Sequence, residues 1–437
     1  LALIAFAFII TGTLVFEAQR LAFALGGVAF LIGSGLVTVP VFIRSASLDV
    51  ILFLLGNFLV VGYLEERQFF EHIVGRVIDR LGNRPRMLLF GLMVIAAVFS
   101  ALAGEVAAAL VMTGAGMHLA KRHTLNPVPL VMMLVFAINT GSAAGPFGPI
   151  GVKIALTAGL TVGDFLRWAA PISFLCLAVV FGIASLVFHH WIGELAAAMK
   201  QFPGASTVAR NDWLGIAVFI TFIALLMLHN QLEHLFGLER DSMLVVTSLF
   251  MGGVVLLLRG ERARQLIELR VDWWTLMFFM MLFAAVGALE QTGVTSIVAR
   301  RMIISAGDRP PLLIQIIGWT TGMLSALLDN LLAVSTFLPI VDHIRRSVSG
   351  GYPQAVYWLL LFGGTLMGNA TPIGSTSNII ACGLLEHRAD VRIRFMNWVK
   401  IGVVISIASM MVATAALAIQ TRGFKTPLMP HPAAQNP

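Results

Sequence analysis

The chain has 437 residues, of which 58% are hydrophobic and 12% are charged, and its formal net charge at pH 7 is +7. Soluble globular proteins carry about 25% charged residues, so this composition excludes an ordinary soluble domain and predicts that lipid is the main solvent. The positive charge suits basic cytoplasmic loops, and we expect a lipid bilayer rather than a nucleic acid as the partner.

Seven apolar runs in the first part of the chain predict helices inside a membrane. Several runs are shorter than the roughly 20 residues that a span requires. Gly, Pro or a charged residue interrupts them, which predicts broken helices and re-entrant hairpins. The runs lie at 1–16, 21–42, 50–64, 87–103, 106–120, 128–138 and 166–188.

A polar stretch at 189–213 follows, and we interpret it as a cytoplasmic linker between two repeats. Repeat 1 is then 1–188 and repeat 2 is 214–419. Residues 420–437, which contain four prolines, are predicted to be a disordered tail. The apolar runs of the second part lie at 214–228, 244–258, 273–289, 312–328, 331–341, 356–367 and 401–419.

The two halves match without a gap at an offset of 225 residues. GYLE at 62–65 corresponds to GALE at 287–290, and SAL at 100–102 corresponds to SAL at 325–327. Internal repeats of this kind are typical of secondary transporters, whose binding site lies at the repeat interface near the middle of the bilayer.

The distribution of charge favours inverted repeats. If each repeat has five crossings, this odd number places the second repeat upside down relative to the first. Most Lys and Arg residues then fall on the side of the linker, as the positive-inside rule requires. We predict an all-α, multi-pass protein of the inner membrane, in which each inverted repeat has about five transmembrane helices, a re-entrant hairpin and a broken helix.

The sequence SALLDN at 325–330 interrupts an apolar stretch with a carboxylate and an amide. A charged residue at this depth costs about 2.5 kcal/mol or more, so it normally faces a cavity or a partner. Ser325, Asp329 and Asn330 are therefore candidate ligands for Na⁺ or a proton. Asp329 as the cap of a half-helix is the structural alternative.

The sequence GNATPIGSTSN at 368–378 combines helix breakers with hydroxyl and amide side chains. Such groups satisfy the freed backbone and can coordinate a cation, while the half-helix that follows directs its amides at an anion. A packed kink is the alternative. The candidate ion or substrate ligands here are Asn369, Thr371, Ser375, Thr376, Ser377 and Asn378.

The first repeat has a counterpart break at 139–153, with candidate ligands Asn139, Thr140 and Ser142. Lys153 follows this break, and Glu105 occupies the position of Asn330 in the second repeat. We hypothesise that Glu105 and Lys153 face one cavity, in which Lys153 replaces a cation or receives an anionic substrate. A structural ion pair and a snorkelling Lys153 are the alternatives.

The motifs VGALEQTGV at 286–294, SALLDN at 325–330 and GNATPIGSTSN at 368–378 resemble the ion transporter superfamily. The nearest groups are arsenite permeases and NhaD-type sodium/proton antiporters, with a citrate-transporter-like domain. Divalent anion/sodium symporters and dicarboxylate carriers are also similar. This resemblance implies a homodimer with a scaffold domain and a transport domain that moves by an elevator-like step. The Na⁺ site that it implies comprises Ser325, Asp329, Asn330, Thr371, Ser375, Thr376 and Asn378.

The first repeat departs from this family pattern, because Gly104 and Glu105 replace an Asp-Asn pair. The segment 147–151 is more similar to dicarboxylate carriers of the malonate type.

These patterns predict a secondary active transporter that moves a small anion, either an inorganic oxyanion or a carboxylate. The coupling ion is Na⁺ or H⁺, and no resident cofactor is expected. A Na⁺/H⁺ antiporter of NhaD type and an arsenite efflux permease are open alternatives. A channel and an intramembrane enzyme are disfavoured, because gated broken helices suit alternating access and hydrolase motifs are absent from the sequence.

Overall fold

The computed structural model of the protein describes residues 1–16, 19–81, 84–201, 212–239, 242–306, 309–347 and 354–421. Within these ranges the regular structure is helical and contains no strand, so the predicted all-α class is confirmed. Residues 202–211 of the predicted linker and 422–437 of the predicted tail lie outside the described residues.

The helices follow one another closely along the chain. Those of the first half are α1 (Ala2–Val15), α2 (Arg20–Gly33), α3 (Val39–Ser45), α4 (Leu48–Glu66), α5 (Phe69–Leu81), α6 (Pro85–Ala103), α7 (Glu105–Arg122), α8 (Val128–Gly141), α9 (Pro149–Ala158), α10 (Val162–Asp164), α11 (Ala170–Val187) and α12 (His189–Gln201). Those of the second half are α13 (Trp213–Met227), α14 (His229–Phe236), α15 (Ser242–Arg259), α16 (Ala263–Arg270), α17 (Trp273–Gln291), α18 (Val294–Ala306), α19 (Pro310–Leu327), α20 (Asn330–Ser347), α21 (Ala355–Met367), α22 (Thr376–Ala389) and α23 (Phe395–Gln420).

In the described part of the chain, seven helical segments are long and apolar enough to cross a bilayer. Five shorter apolar helices accompany them, as expected where spans are broken. The protein is therefore built to cross a membrane several times. The seven segments are Leu48–Glu66, Pro85–Ala103, Val128–Ala158, Val162–Val187, Ser242–Arg270, Trp273–Gln291 and Phe395–Gln420.

The order of helices recurs along the chain. The helices α4, α5, α6 and α7 begin 225 residues before α17, α18, α19 and α20, respectively. Pro85 and Pro310 begin α6 and α19, where a fixed φ and a missing amide hydrogen suit the first helical turn. After α7 and α20, each half continues with a helix, a short 3₁₀ turn and another helix.

The two halves pack against each other crosswise. The helix α4 packs on α15, while its counterpart α17 packs on α2. In the same way α7 packs on α22, while α20 packs on α9. A reciprocal exchange of contacts is what a two-fold relation between the halves produces. It brings the interrupted segments of both halves to the centre of the molecule.

The helices α4 and α15 approach so closely that Gly56 has no room for a side chain. A Cβ atom on Gly56 would lie 2.3 Å from the carbonyl oxygen of Ser248. The Ser248 hydroxyl donates a hydrogen bond of 2.6 Å to the carbonyl oxygen of Phe53 on α4. Small residues permit such close contact between helices in a membrane, where packing drives association.

We expect Gly56→Ala to lower the midpoint of thermal unfolding in detergent, because the added methyl group must displace backbone. Overpacking of this kind costs about 1–3 kcal/mol. Gly253→Ala on α15 is the matched control, since nothing lies within 4 Å of its Cβ position. Its midpoint should stay constant or rise, because Ala is the better helix former. Equal midpoints for the two variants would contradict this close packing.

An ion pair joins the end of α4 to the start of α13. The Nε atom of Arg67 donates to Oδ2 of Asp212 at 2.6 Å, and a second guanidinium nitrogen contacts Oδ1. The guanidinium also lies 5.5 Å from the centroid of the Tyr63 ring. Hydrogen bonding from Arg67 holds the pKa of Asp212 below its usual value. The pair ties the first helix after the predicted linker to repeat 1.

We expect Asp212→Asn to lower the thermal midpoint at neutral pH and to have no effect in acid. The folded-state pKa is depressed, so this stabilisation is fully present above the unfolded-state value of about 3.9 and is lost as the pH falls below it. The loss should not exceed about 1 kcal/mol, because Arg67 is one-third exposed. Thermal unfolding of both proteins across this pH range measures it, and a difference that grows on acidification would contradict the assignment.

Candidate functional site

Two interrupted helices meet at the centre of the protein. In the first half, α8 ends at Gly141, a 3₁₀ turn covers Ser142–Ala144, and α9 begins at Pro149. In the second half, a 3₁₀ turn at Gly368–Ala370 separates α21 from α22. Each 3₁₀ turn is followed by an extended residue, Gly145 or Thr371. Helix breaks of this kind leave backbone groups that the protein itself must satisfy at membrane depth.

The Asn139 side chain links the two breaks. Its Nδ2 atom donates to Oδ1 of Asn369 at 2.7 Å and to Oδ1 of Asn378 at 2.8 Å. Its Oδ1 atom accepts from the hydroxyls of Ser375 at 2.9 Å and Ser377 at 2.7 Å. All five residues are completely buried. The structure therefore brings the break at 139–153 and the break at 368–378 into direct contact.

Side chains also replace the missing backbone hydrogen bonds. Nδ2 of Asn378 donates to the carbonyl oxygens of Gly368 at 2.8 Å and Thr371 at 2.7 Å. The indole of Trp398 donates to the carbonyl oxygen of Asn369 at 3.0 Å. Trp398 was not singled out in the sequence, because it lies before the apolar run 401–419, in a segment where no pattern marks a functional residue.

A buried carboxylate lies where equivalent positions of the two halves meet. Oε2 of Glu105 accepts from Nδ2 of Asn330 at 3.2 Å and lies 3.3 Å from the Ser375 hydroxyl, whose one hydrogen serves either Glu105 or Asn139. Glu105 and Asn330 are the first residues of α7 and α20, 225 positions apart. This contact therefore places Glu105 where the two halves of the chain meet.

A second buried carboxylate, Asp329, lies beside this point. Its Oδ1 atom accepts from the amide of Leu331 at 3.0 Å and so caps α20, while Oδ2 accepts from the Thr376 hydroxyl. Asp329 therefore caps α20, which was the structural alternative, and also lies where it could bind an ion. Ser375 contacts Glu105 and the next residue, Thr376, contacts Asp329, so both carboxyl groups lie at the start of α22. Among the described residues neither carboxylate has a basic partner, so the pair is a candidate cation site.

Ser325 and Thr371 hold the second-half break in place. The Ser325 hydroxyl lies 2.9 Å from Oδ1 of Asn330 and 2.5 Å from the carbonyl oxygen of Gly364, and its one hydrogen serves one of them at a time. The Thr371 hydroxyl donates to the carbonyl oxygen of Ala326 at 2.6 Å. The predicted residues of the second repeat therefore form one cluster.

The first half lacks the equivalent oxygen atoms. Gly148 precedes α9 where Ser375 precedes α22, and Pro149 begins α9 where Thr376 begins α22. Gly104 stands at the position of Asp329, with φ 87° and ψ 161°. A residue with a side chain rarely adopts this conformation, so an aspartate there would require a different backbone. The cluster of side-chain oxygens is consequently one-sided.

The remaining candidates of the first half have other surroundings. Thr140 donates to the carbonyl oxygen of Phe136 at 2.7 Å, and Ser142 donates to that of Asn139 at 2.8 Å. The Lys153 ammonium contacts the Ser47 hydroxyl and lies 4.4 Å from the centroid of the Phe283 ring.

Glu105, in contrast, contacts Asn330 and Ser375, and no hydrogen bond or ion pair of the described residues joins it to Lys153. The structure therefore does not bring Lys153 to Glu105.

Asn57 is a further buried polar residue near the first break. Its Nδ2 atom donates to the carbonyl oxygen of Phe147 at 3.0 Å, and its Oδ1 atom has no partner within the described chain. The available signal was a single amide inside the apolar run 50–64. The Asn57 side chain ties α4 to the backbone between α8 and α9.

Comparison with known sequences identifies the family. The sequence profile of the citrate transporter family matches residues 5–363 and, in a second match, residues 296–425. The chain belongs to the citrate transporter family. The predicted resemblance to the ion transporter superfamily is thereby confirmed, and the protein is an integral, multi-pass membrane transporter.

Several relatives of this citrate transporter family member are named as transporters. An uncharacterized transporter of Mycobacterium tuberculosis is 30% identical over 387 residues, which cover 86% of each chain. The human P protein is 22% identical over 441 residues, which cover 84% of this chain and 52% of the P protein. Among solved structures, the YdaH transporter of Alcanivorax borkumensis has a similar fold, with a TM-score of 0.54, 15% identity and 89% of both chains covered.

We expect Asn139→Ala to destabilise the protein strongly, because it leaves the partners of Asn139 in both breaks without hydrogen bonds. Each buried polar group left unsatisfied costs about 1–3 kcal/mol. Thr140→Ala on the same helix is the matched control, since its hydroxyl bonds only to a carbonyl of its own helix. Thermal unfolding in detergent measures both, and a larger effect of Thr140→Ala would show that the network does not hold the breaks together.

Proposed function

We propose that this protein is a secondary active transporter that moves a small anion together with Na⁺ or H⁺. The main support for this proposal is the pair of buried carboxylates, Glu105 and Asp329, which have only hydroxyl and amide partners in the described chain. The family description makes a carboxylate such as citrate the first substrate to test, with inorganic oxyanions as the next class.

A bound cation would offset the electrostatic cost of two buried negative charges at the centre of the protein. The Glu105 and Asp329 side chains are 6% and 8% exposed and contact consecutive residues at the start of α22, so two negative charges there would repel each other. Na⁺ favours carboxylate, hydroxyl and amide oxygens, and these surround the pair on Asn330, Ser375 and Thr376. Proton binding to one carboxylate would neutralise the same charge, so Na⁺ and H⁺ are the two coupling ions consistent with this chemistry.

The same geometry supplies a reason for coupling. The helix α22 begins at Thr376, and its amino-terminal end faces Glu105 and Asp329 through Ser375 and Thr376. The amides at a helix start attract an anion, but two unneutralised carboxylates beside them repel it. A cation that binds first removes this repulsion and allows a substrate carboxylate to approach Ser375 and Ser377. Cation binding then precedes anion binding, which favours symport.

The architecture supports transport by alternating access. The recurring helix order and the crosswise packing suit two inverted repeats that share one site. In this proposal the protein lies in the inner membrane, and the linker between the repeats lies in the cytoplasm. In this proposal the breaks belong to a transport domain that moves in an elevator-like step. The scaffold, which includes α4 and α15, supports a homodimer.

A Na⁺/H⁺ antiporter is the second candidate, because two neighbouring carboxylates can also exchange protons for Na⁺. Proteoliposomes separate the two functions. Symport predicts accumulation of labelled citrate under an inward Na⁺ or H⁺ gradient. Antiport predicts a change of internal pH driven by Na⁺ without any anion. Arsenite and sulfate serve as further arms of the uptake assay.

We expect Glu105→Gln and Asp329→Asn to shift the half-saturating Na⁺ or H⁺ concentration by about tenfold or more. Loss of one charged acceptor removes about 1.5–3 kcal/mol of interaction. Glu261→Gln, at an exposed position, is the control for the same change of charge. Unchanged ion dependence in both site variants, with normal protein folding by thermal unfolding, would refute the proposed coupling site.

A further inference from the structure

A basic cleft lies at the start of α8, the helix whose other end forms the first break, at a point where three helix ends meet. The start of α8, the end of α11 and the start of α23 surround a volume of about 490 Å³. Each of these helices belongs to a segment that is long and apolar enough to cross a bilayer. Because span ends lie at the boundary between lipid and water, the cleft opens at the membrane surface.

Three basic residues and no acidic residue line the cleft. Arg392, Arg394 and Lys400 line it, all three are exposed, and they form no ion pair with another described residue. The lining contains no Asp or Glu, and Glu386 and Asp390, which precede it in the chain, do not line it. Three cations around one volume repel one another, so an anion placed among them is stabilised.

The other wall of the cleft is apolar. Val128, Met132, Phe188 and Ile401 line it on the side of the spans. Next to it, the indole of Trp191 donates to the carbonyl oxygen of Asn126 at 2.8 Å. Tryptophan is enriched at the level of lipid headgroups, which agrees with the depth inferred from the helix ends. A ligand for this cleft therefore has both an anionic and a hydrocarbon part.

We propose that this cleft binds an anionic phospholipid. The phosphate lies among Arg392, Arg394 and Lys400, and the first part of an acyl chain lies along Val128, Met132 and Ile401. Basic pockets between transmembrane helices on the cytoplasmic side are suited to such headgroups. The charge distribution of the sequence places this end of the helices on the cytoplasmic side. None of the residues that line the cleft takes part in the hydrogen bonds around Asn139, so the lipid site is distinct from the proposed site of the transported anion.

The test uses the full chain in nanodiscs of phosphatidylcholine, with and without an equal part of phosphatidylglycerol. Native mass spectrometry counts retained lipid, and titration with phosphatidylglycerol in detergent gives an apparent affinity from thermal unfolding. We expect retained phosphatidylglycerol on the wild type. The triple variant Arg392→Gln, Arg394→Gln, Lys400→Gln should bind about 100-fold more weakly, because each basic side chain near an anionic headgroup contributes about fivefold.

A matched triple variant, Arg44→Gln, Arg262→Gln, Arg301→Gln, removes the same charge from exposed positions elsewhere. It should keep the lipid, and equal loss in both triple variants would overturn the proposal because general surface charge would then suffice. Competition by inorganic phosphate, glycerol phosphate or citrate at the affinity of the lipid would also overturn it, since the acyl chain would contribute nothing. If the cleft variant folds poorly, Lys400→Gln alone should still weaken retention about fivefold.

Discussion

Backbone groups at the two helix breaks have no water to bind inside a bilayer, and every other property of the site follows from how the protein satisfies them. Asn378 covers two carbonyl oxygens of its own break, and Trp398 covers a third from α23. Asn139 then joins this break to the opposite half. Because these groups serve as internal replacements for water, they form a buried polar centre in a protein that is otherwise apolar.

Placing charge in that centre is costly, and the two-fold arrangement determines where the charge lies. Glu105 and Asn330 occupy the same repeat position and meet across the interface. Asp329 adds a second carboxylate on one side, while Gly104 holds a backbone conformation that excludes a side chain on the other. The halves are thus alike in backbone and unlike in chemistry. The side-chain oxygen atoms around the two carboxyl groups therefore come mainly from the second half.

The helices α4 and α15 help to fix the position of the first break. The helices α4 and α15 pack closely because Gly56 has no side chain. The next residue, Asn57, donates a hydrogen bond to the backbone between α8 and α9. Close packing and a polar contact on adjacent residues of α4 connect the periphery to the break.

The amino-acid sequence by itself determined the class of protein, the strongly apolar helices and the positions of the breaks, but not the less apolar helices such as α5, α12 and α18. Low charge content, apolar runs and Gly or Pro punctuation are local signals, and the 225-residue offset reappears as equal spacing of helix starts. The residues of 325–330 and 368–378 were also found from the sequence, since polar side chains in apolar runs stand out.

Only the tertiary structure decided which of these residues meet. It joined Glu105 to Asn330 and Ser375, directed Lys153 to Ser47 and Phe283 instead, and brought in Asn57 and Trp398. Such pairings span more than 80 residues of chain in most cases, and no local pattern encodes them. They depend on how the two halves pack, which is a property of the whole folded chain.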